Sequence, residues 1–372
     1  MRFFYFFFAL LILILPVVAQ DAEPIIETTA YRQVLVYAGP GITFPEVSLL
    51  NPGIPATIIE RNTIGNWLHV QRYDNGNVVM DGWVISGYLN LPPELQYGDI
   101  PINDLLSDAD SSTISSESMS ELLTMPIIPT ISDAMLDVFE RGQTLGNQAN
   151  MITKVGDSLS AAEQYMSIFS ADESILGPYN YLEETLNFYA DSTRQNSVAS
   201  QIGMTSYAVF DPFWADSELC ESGESPLTCE FRLHQPSIAF IIFCGNDVRH
   251  MTDTDYDGQM RMLVEQSLES GVIPVLFTCS THPDEAFFWQ SINFNLRIKT
   301  IAEDYEIPAI NLWSAARHLP QFGLDEDLIH LRHSGFDFLK YDSGQEAYSG
   351  ISLQNLLVLR TLDEIRLSLN LE

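Results

Sequence analysis

From residue 133 onward the chain alternates continuous apolar runs with amphipathic stretches. Residues 151–155, 238–243, 272–277 and 308–312 are mainly apolar and too short for buried helices, the pattern of strands covered on both faces. Between two of them, residues 257–270 bring Met260, Leu263, Val264 and Leu268 to one helical face, and Gly271 stands where that helix should stop. Strand, helix and strand in series predict an α/β domain built on a parallel sheet. Its site should lie beyond the carboxyl ends of the strands.

The pattern before residue 92 is different. Short apolar and aromatic clusters at 34–37, 56–59, 67–70 and 82–84 are separated by Gly39-Pro40-Gly41, Asn51-Pro52-Gly53 and Asp74-Asn75-Gly76. Strands this short, with turn chemistry this regular, predict a small all-β barrel over 27–91. Residues 92–132 hold eight serines and seven acids and no Lys or Arg. That composition predicts a solvated acidic, Ser-rich linker between the barrel and a domain at 133–372, with apolar patches at 122–125 and 127–128 able to dock locally.

At the N-terminus, Arg2 precedes an unbroken apolar run over 3–18, with small residues at Val17 and Ala19. This reads as a signal peptide over 1–19, cleaved after Ala19, and predicts a secreted protein. An uncleaved membrane anchor is the alternative, at the short end of what spans a bilayer. Export permits disulfides. Cys220 and Cys229 flank a loop-like stretch and are expected to pair, whereas Cys244 and Cys279 end apolar runs and read either as buried thiols or as a second bridge.

The chain's 372 residues, 46% of them hydrophobic, provide for two or three domains with an enzyme-sized core. Seventeen Lys and Arg against fifty Asp and Glu leave a net charge of −33, which excludes nucleic acid as an expected partner.

Three groups at predicted strand ends carry chemistry. Gly156-Asp157-Ser158-Leu159 follows the first run, and a serine in a tight strand-to-helix turn is either a nucleophile or a helix cap. Cys244-Gly245-Asn246-Asp247 follows the second, and an Asn beside glycine amides supplies donors for an oxyanion or simply makes a turn. Asp327 and His330 are spaced so that a carboxylate can orient an imidazole base. His250 also follows an acid by three, but Asp247 reads as a brace for its own turn. His333 lacks a matching acid, and His69 falls in the β segment. His234, His282 and His318 have no acid partner at that spacing and read as structural or surface groups. Asp253-Thr254-Asp255-Tyr256-Asp257-Gly258 copies half of a calcium loop, yet its twelfth position is Val264. These acids are expected to cap a helix beginning near Asp257, and no metal is expected.

The order Ser, Asn, Asp and His over 133–372 resembles the GDSL or SGNH hydrolase family. Gly156-Asp157-Ser158-Leu159 matches the nucleophile block, Gly203 in Ser200-Gln201-Ile202-Gly203 the second block, Gly245-Asn246-Asp247 the third, and Asp327 with His330 the last. Cys244 departs from the family pattern, which normally starts the third block with glycine. The resemblance implies a flavodoxin-like three-layer fold, a Ser158–His330–Asp327 triad, and an oxyanion hole from Asn246 and the amides of Ser158 and Gly203. It implies no cofactor. Residues Ala38-Gly39-Pro40-Gly41, Phe44-Pro45, 65–70, Gly82-Trp83-Val84 and Tyr88-Leu89 resemble the bacterial SH3-like domain. The family's usual Arg is missing from Val36-Tyr37-Ala38, and Trp67 and Trp83 read as core residues before ligand platforms. Such domains often bind cell-wall peptide or polysaccharide. Together the two resemblances imply a secreted serine esterase acting on small acyl esters or acetylated glycans. The alternatives are an inactive wall- or glycan-binding protein, or an O-acyltransferase on the same fold.

Overall fold

The computed structural model describes residues 26–371 apart from 42–43, 64, 93–94, 96, 104–113, 115, 171–175, 191, 193–195, 284, 334 and 336–338. The expected signal peptide over 1–19 lies outside the described residues.

Seven strands form the N-terminal sheet: β1 (Ile26–Ala30), β2 (Val34–Tyr37), β3 (Glu46–Leu50), β4 (Pro55–Arg61), β5 (Trp67–Asp74), β6 (Asn77–Ile85) and β7 (Leu89–Asn90). They lie in the order β3-β2-β6-β5-β4-β1-β7, and all the pairings are antiparallel. The longest hairpin, β5–β6, turns at Asn75 and Gly76, whose φ values of 47° and 80° give the mirror-image turn that suits the right-handed twist of paired strands. Alternate residues point inward, so Val36, Leu68, Val70, Val84 and Leu89 fill a core of their own.

The segment expected to be a solvated linker is only partly so. It contains α1 (Ser116–Thr124), which buries Met119 and Leu122 against Phe288, Ile292 and Trp313. The Asn311 side chain donates to the carbonyls of Leu122 (2.8 Å) and Met125 (3.1 Å), fastening the helix end to the second domain. Residue composition averaged over forty positions concealed one amphipathic turn pair.

The second domain begins with α2 (Ala134–Leu145), β8 (Gln148–Gly156), α3 (Ser158–Ala161), α4 (Glu183–Phe188), α5 (Pro226–His234) and β9 (Pro236–Ile242). It continues through α6 (Asp247–His250), α7 (Asp253–Glu269), β10 (Ile273–Phe277), α8 (Phe288–Tyr305), β11 (Ala309–Ile310), α9 (Leu312–Ala315) and α10 (Gly350–Ser368). The strands pair in parallel in the order β11-β10-β9-β8. Every residue of β9 and β10 is buried, because helices close both faces of the sheet. The last expected strand shrinks to two residues because Asn311 caps α9 through Ser314 N–H. Helix α7 starts four residues earlier than expected. Thr252 is its cap, accepting from Asp255 N–H, while Asp253 pairs with Arg297 and Asp257 with Arg261. Among the described residues no helix is long and apolar enough to cross a membrane.

All four cysteines are paired, Cys220 with Cys229 and Cys244 with Cys279. Cys229 lies within α5, not in a loop. Pro226 at its first turn and Ser225 as its cap, accepting from Thr228 N–H, start that helix early.

The two domains meet at an aromatic cluster. Trp67, Trp83 and Ile85 of the N-terminal sheet enclose Phe322 of the second domain, and His282 packs 5.3 Å from both Tyr88 and Phe322 by ring centroids.

Candidate active site

The carboxyl end of β8 is shaped by Gly156. Its φ of +152° and the Ile242 carbonyl pressing on it leave no space for a β-carbon. The chain then turns at Asp157, a fully buried residue whose carboxylate accepts Leu159 N–H at 2.9 Å and Cys244 N–H at 3.2 Å. Burial pushes the Asp157 carboxyl above its ordinary value, and these amides only partly oppose it. Asp157 thus caps the four-residue α3 and ties it to the loop after β9, leaving Ser158 at the head of the helix.

His330 stands on a tight hairpin. Leu324 and Leu331 form an antiparallel bridge, and Asp325 N–H donates to the His330 carbonyl at 2.8 Å. Within that loop Leu328 takes a left-handed φ of 60°. Asp327 Oδ1 accepts the N–H groups of Ile329 (3.0 Å) and His330 (2.9 Å), an Asx turn that aims the remaining oxygen at the imidazole. His330 Nδ1–H donates to Asp327 Oδ2 at 2.6 Å, and Ser158 O–H donates to His330 Nε2 at 2.9 Å. Burial raises the Asp327 carboxyl, but the hydrogen bonds from the His330 ring and from the two amides outweigh it, leaving the group below its ordinary value. Both Asp327 and His330 are about half exposed, so water reaches the pair.

The loops bearing the expected oxyanion donors converge here. Gly156 N–H donates to Ala199 O at 3.0 Å and Gln201 N–H to Gly156 O at 3.1 Å, bringing the Gly203 turn beside the end of β8. Asn246 Nδ2 donates to Met204 O at 3.2 Å, joining the third loop to the second and leaving that amide one further N–H. Asp247 accepts Ser206 N–H with both oxygens at 3.1 Å, so it braces the second loop and not, as expected, its own turn; burial pushes its carboxyl up to about 6. Beyond Gly203 the rim is apolar: Ile202 and Phe213 are exposed and Trp214 lies over the turn. A cleft of about 30 Å³ is lined by Leu159 and Ile329, the neighbours of Ser158 and His330, and by Leu328, Gly245 and the Cys244–Cys279 bridge. The Arg249–Glu285 ion pair, at 2.8 Å, closes another side of it.

Two other histidines have acid partners of their own. His69 bonds Glu60 and Asp81, each at 2.8 Å. His234 has an acid partner at a spacing of four, not three: Glu230 at 2.6 Å, one helical turn before it. Asp157 as a buried anchor was also missed, although its place just before the serine made it a natural cap. Among the described residues, the one cluster with metal-ligand proximity is Cys220, Glu224 and Cys229, and its two sulfurs are already joined to each other.

No family model and no curated protein matches the chain. Solved structures do. The chain is similar to a lipase/acylhydrolase from Enterococcus faecalis at 18% identity, covering 58% of this chain and 96% of that one, with a TM-score of 0.37. It is similar to the acetylxylan esterase Axe2 from Geobacillus stearothermophilus at 15% identity, covering 58% and 95%, with a TM-score of 0.38. A GDSL-like lipase from Bacteroides thetaiotaomicron shares 12% identity over 62% and 99%, with a TM-score of 0.36.

Proposed function

We propose that this protein is an exported serine esterase of the SGNH type, cleaving short acyl esters by a Ser158–His330–Asp327 relay. The observation that carries this reading is the chain of two hydrogen bonds, Ser158 Oγ to His330 Nε2 at 2.9 Å and His330 Nδ1 to Asp327 Oδ2 at 2.6 Å. The imidazole has a bare nitrogen facing the hydroxyl and a carboxylate behind it, the arrangement in which a serine can lose its proton as it attacks.

In the first half-reaction Ser158 Oγ bonds to the ester carbonyl carbon while its proton passes to His330 Nε2. Asp327 steadies the resulting imidazolium. The tetrahedral oxyanion is held by the amides of Ser158 and Gly203 and by the second N–H of Asn246. Collapse expels the alcohol, which takes the proton from His330, and the acyl group remains on Ser158. Water then repeats the sequence with His330 again as base, releasing the acid and the free serine. The half-exposed histidine favours water as the acceptor over an O-acyltransfer partner.

The small cleft between Leu159 and Ile329 adjoins the relay and offers a seat for the acyl group, which favours acetyl over longer acyl chains. The exposed apolar rim at Ile202, Phe213 and Trp214 offers a face for the alcohol part, such as a sugar ring of an acetylated glycan. We read residues 27–91 as a bacterial SH3-like module with cell-wall peptide or polysaccharide as its partner, 92–132 as the connection, and 133–372 as the hydrolase. Export through residues 1–19 agrees with the two bridges, which need an oxidising compartment.

The test is a panel of p-nitrophenyl esters and acetylated polysaccharides presented to the full chain and to Ser158→Ala. Acetate release by the wild type, lost in the variant, is the expected result. Equal hydrolysis by both would remove the serine from the mechanism.

A further inference from the structure

We propose that Phe322 is a positioning residue for the base: its ring, seated in a socket of the N-terminal module, holds the root of the hairpin that carries Asp327 and His330. The inference rests on the esterase reading and adds a second task to the module, as part of the scaffold of the reaction site.

The backbone at the root of the hairpin is strained. Gln321 and Phe322 have φ values of 52° and 56°, two consecutive non-glycine residues in the left-handed region. Such a pair persists only where the surroundings over-determine it, and it marks places where geometry is set for function. On the second domain's own side the restraints are polar. Ser280 Oγ donates to the Phe322 carbonyl at 2.6 Å, and Arg332 Nη2 donates to Gln321 Oε1 at 2.6 Å. Arg332 N–H donates to Gly323 O at 2.8 Å, and the Leu324–Leu331 bridge follows directly.

The remaining restraint is the ring itself, and most of what encloses it belongs to the other domain. Phe322 is 3% exposed and packs among Trp67, Trp83 and Ile85. It lies so close to Gly87 that a β-carbon there would sit 2.5 Å from a ring carbon. His282 closes the last side, itself packed on Tyr88 of the module. A ring so enclosed cannot swing without moving the backbone on which it sits. That backbone leads through Gly323 and Leu324 into the hairpin. The route from module to imidazole therefore passes through packed and hydrogen-bonded groups at every step. Because a misplacement of about 1 Å at a reacting group costs up to about a hundredfold in rate, a small shift of this hinge is enough to be read.

The experiment uses the full chain and three variants: Phe322→Ala, Phe322→Leu, and Gly87→Ala, which crowds the same ring from the other domain. Each is measured for kcat and KM on p-nitrophenyl acetate, for melting temperature, and for the low-field proton resonance of the His330–Asp327 hydrogen bond, assigned by its loss in His330→Ala. Expected are a fall in kcat of about tenfold to a hundredfold in Phe322→Ala and Gly87→Ala, with KM within about twofold and the low-field resonance weakened or shifted. Phe322→Leu should recover most of both signals. An unaltered kcat and resonance in folded Gly87→Ala would overturn the proposal. So would a loss of activity in every variant that only follows the folded fraction. Should Phe322→Ala not fold, Phe322→Leu and Gly87→Ala decide between these outcomes. An inactive wild type would count against the esterase reading alone, since the resonance still reports whether the ring positions the histidine.

Discussion

Asp327 holds His330 twice, once through the ring and once through the backbone. Oδ2 accepts from Nδ1 at 2.6 Å, while Oδ1 accepts the residue's own N–H at 2.9 Å. The same carboxylate therefore builds the loop and selects the tautomer. Replacing it by asparagine separates the two tasks. In Asp327→Asn the amide oxygen still serves the backbone, but the NH₂ faces Nδ1 and moves the imidazole proton to Nε2. Ser158 then has no acceptor. The expected result is a fall in kcat of about 10³–10⁴-fold with an unchanged melting temperature. Steady-state kinetics and a thermal melt on one preparation check both halves.

The pH response of activity follows from the same pair. Asp327 lies below its ordinary value, so it stays ionised into the acid range and loses its charge only as the pH falls through that depressed value. A base whose acceptor nitrogen carries a proton can no longer take one from Ser158. Activity should fall on the acid side while the fold, followed by circular dichroism, stays intact. A flat rate profile from pH 4 to 8 would remove His330 as the base.

Asp247 makes a prediction of opposite sign for stability. Its folded value of about 6 lies above the ordinary carboxylate value. Between the two the folded chain binds a proton that the unfolded chain has released, so this group's contribution to stability declines as pH rises through that window. Above about pH 6 the penalty is complete, on the order of 2–3 kcal/mol. Asp247→Asn keeps an oxygen for Ser206 N–H and removes the charge. Denaturant titrations should show the variant gaining on the wild type between pH 4 and pH 8; an equal difference at both ends would refute the account.

Gly156 is a position where a single methyl decides the outcome. The β-carbon of Gly156→Ala would overlap the Ile242 carbonyl of the neighbouring strand, in a conformation L-residues seldom adopt. The strands must part or the turn must change, and either moves Ser158. Destabilisation of about 2–4 kcal/mol with near-complete loss of turnover is expected. Urea melts and residual kcat provide the check.

The narrow cleft predicts chain-length selectivity. Acetate esters should be preferred to butyrate esters by at least about tenfold in kcat/KM, since a methylene that does not fit costs about 1–3 kcal/mol. Leu159→Ala widens the cleft without touching the relay and should narrow that ratio. No change in the ratio would place the acyl group elsewhere.

What could be read from residue order was whatever depends on neighbours in the chain. Continuous apolar runs announced strands buried on both faces, and Gly156 to Leu159 announced a turn after the first of them. Asp327 and His330 lie three apart, and their contact depends on one loop. What could not be read depends on distant partners. Helix α1 is held by Phe288 and Trp313, far along the chain, so its serines disguised it. The Cys244–Cys279 pairing follows from two adjacent parallel strands ending level, which no spacing rule encodes. Nothing in the sequence marks Phe322, because its socket comes from residues 67–87.

The bond between Cys244 and Cys279 ties together the tips of two neighbouring strands beneath the cleft, whereas the sheet itself is held along its whole length by buried side chains. Catalytic competence and global folding therefore answer to different agents. Under graded dithiothreitol, turnover should decay while the far-ultraviolet spectrum is still native, and reoxidation should bring it back: a floor that can be unlatched beneath a building that stays up.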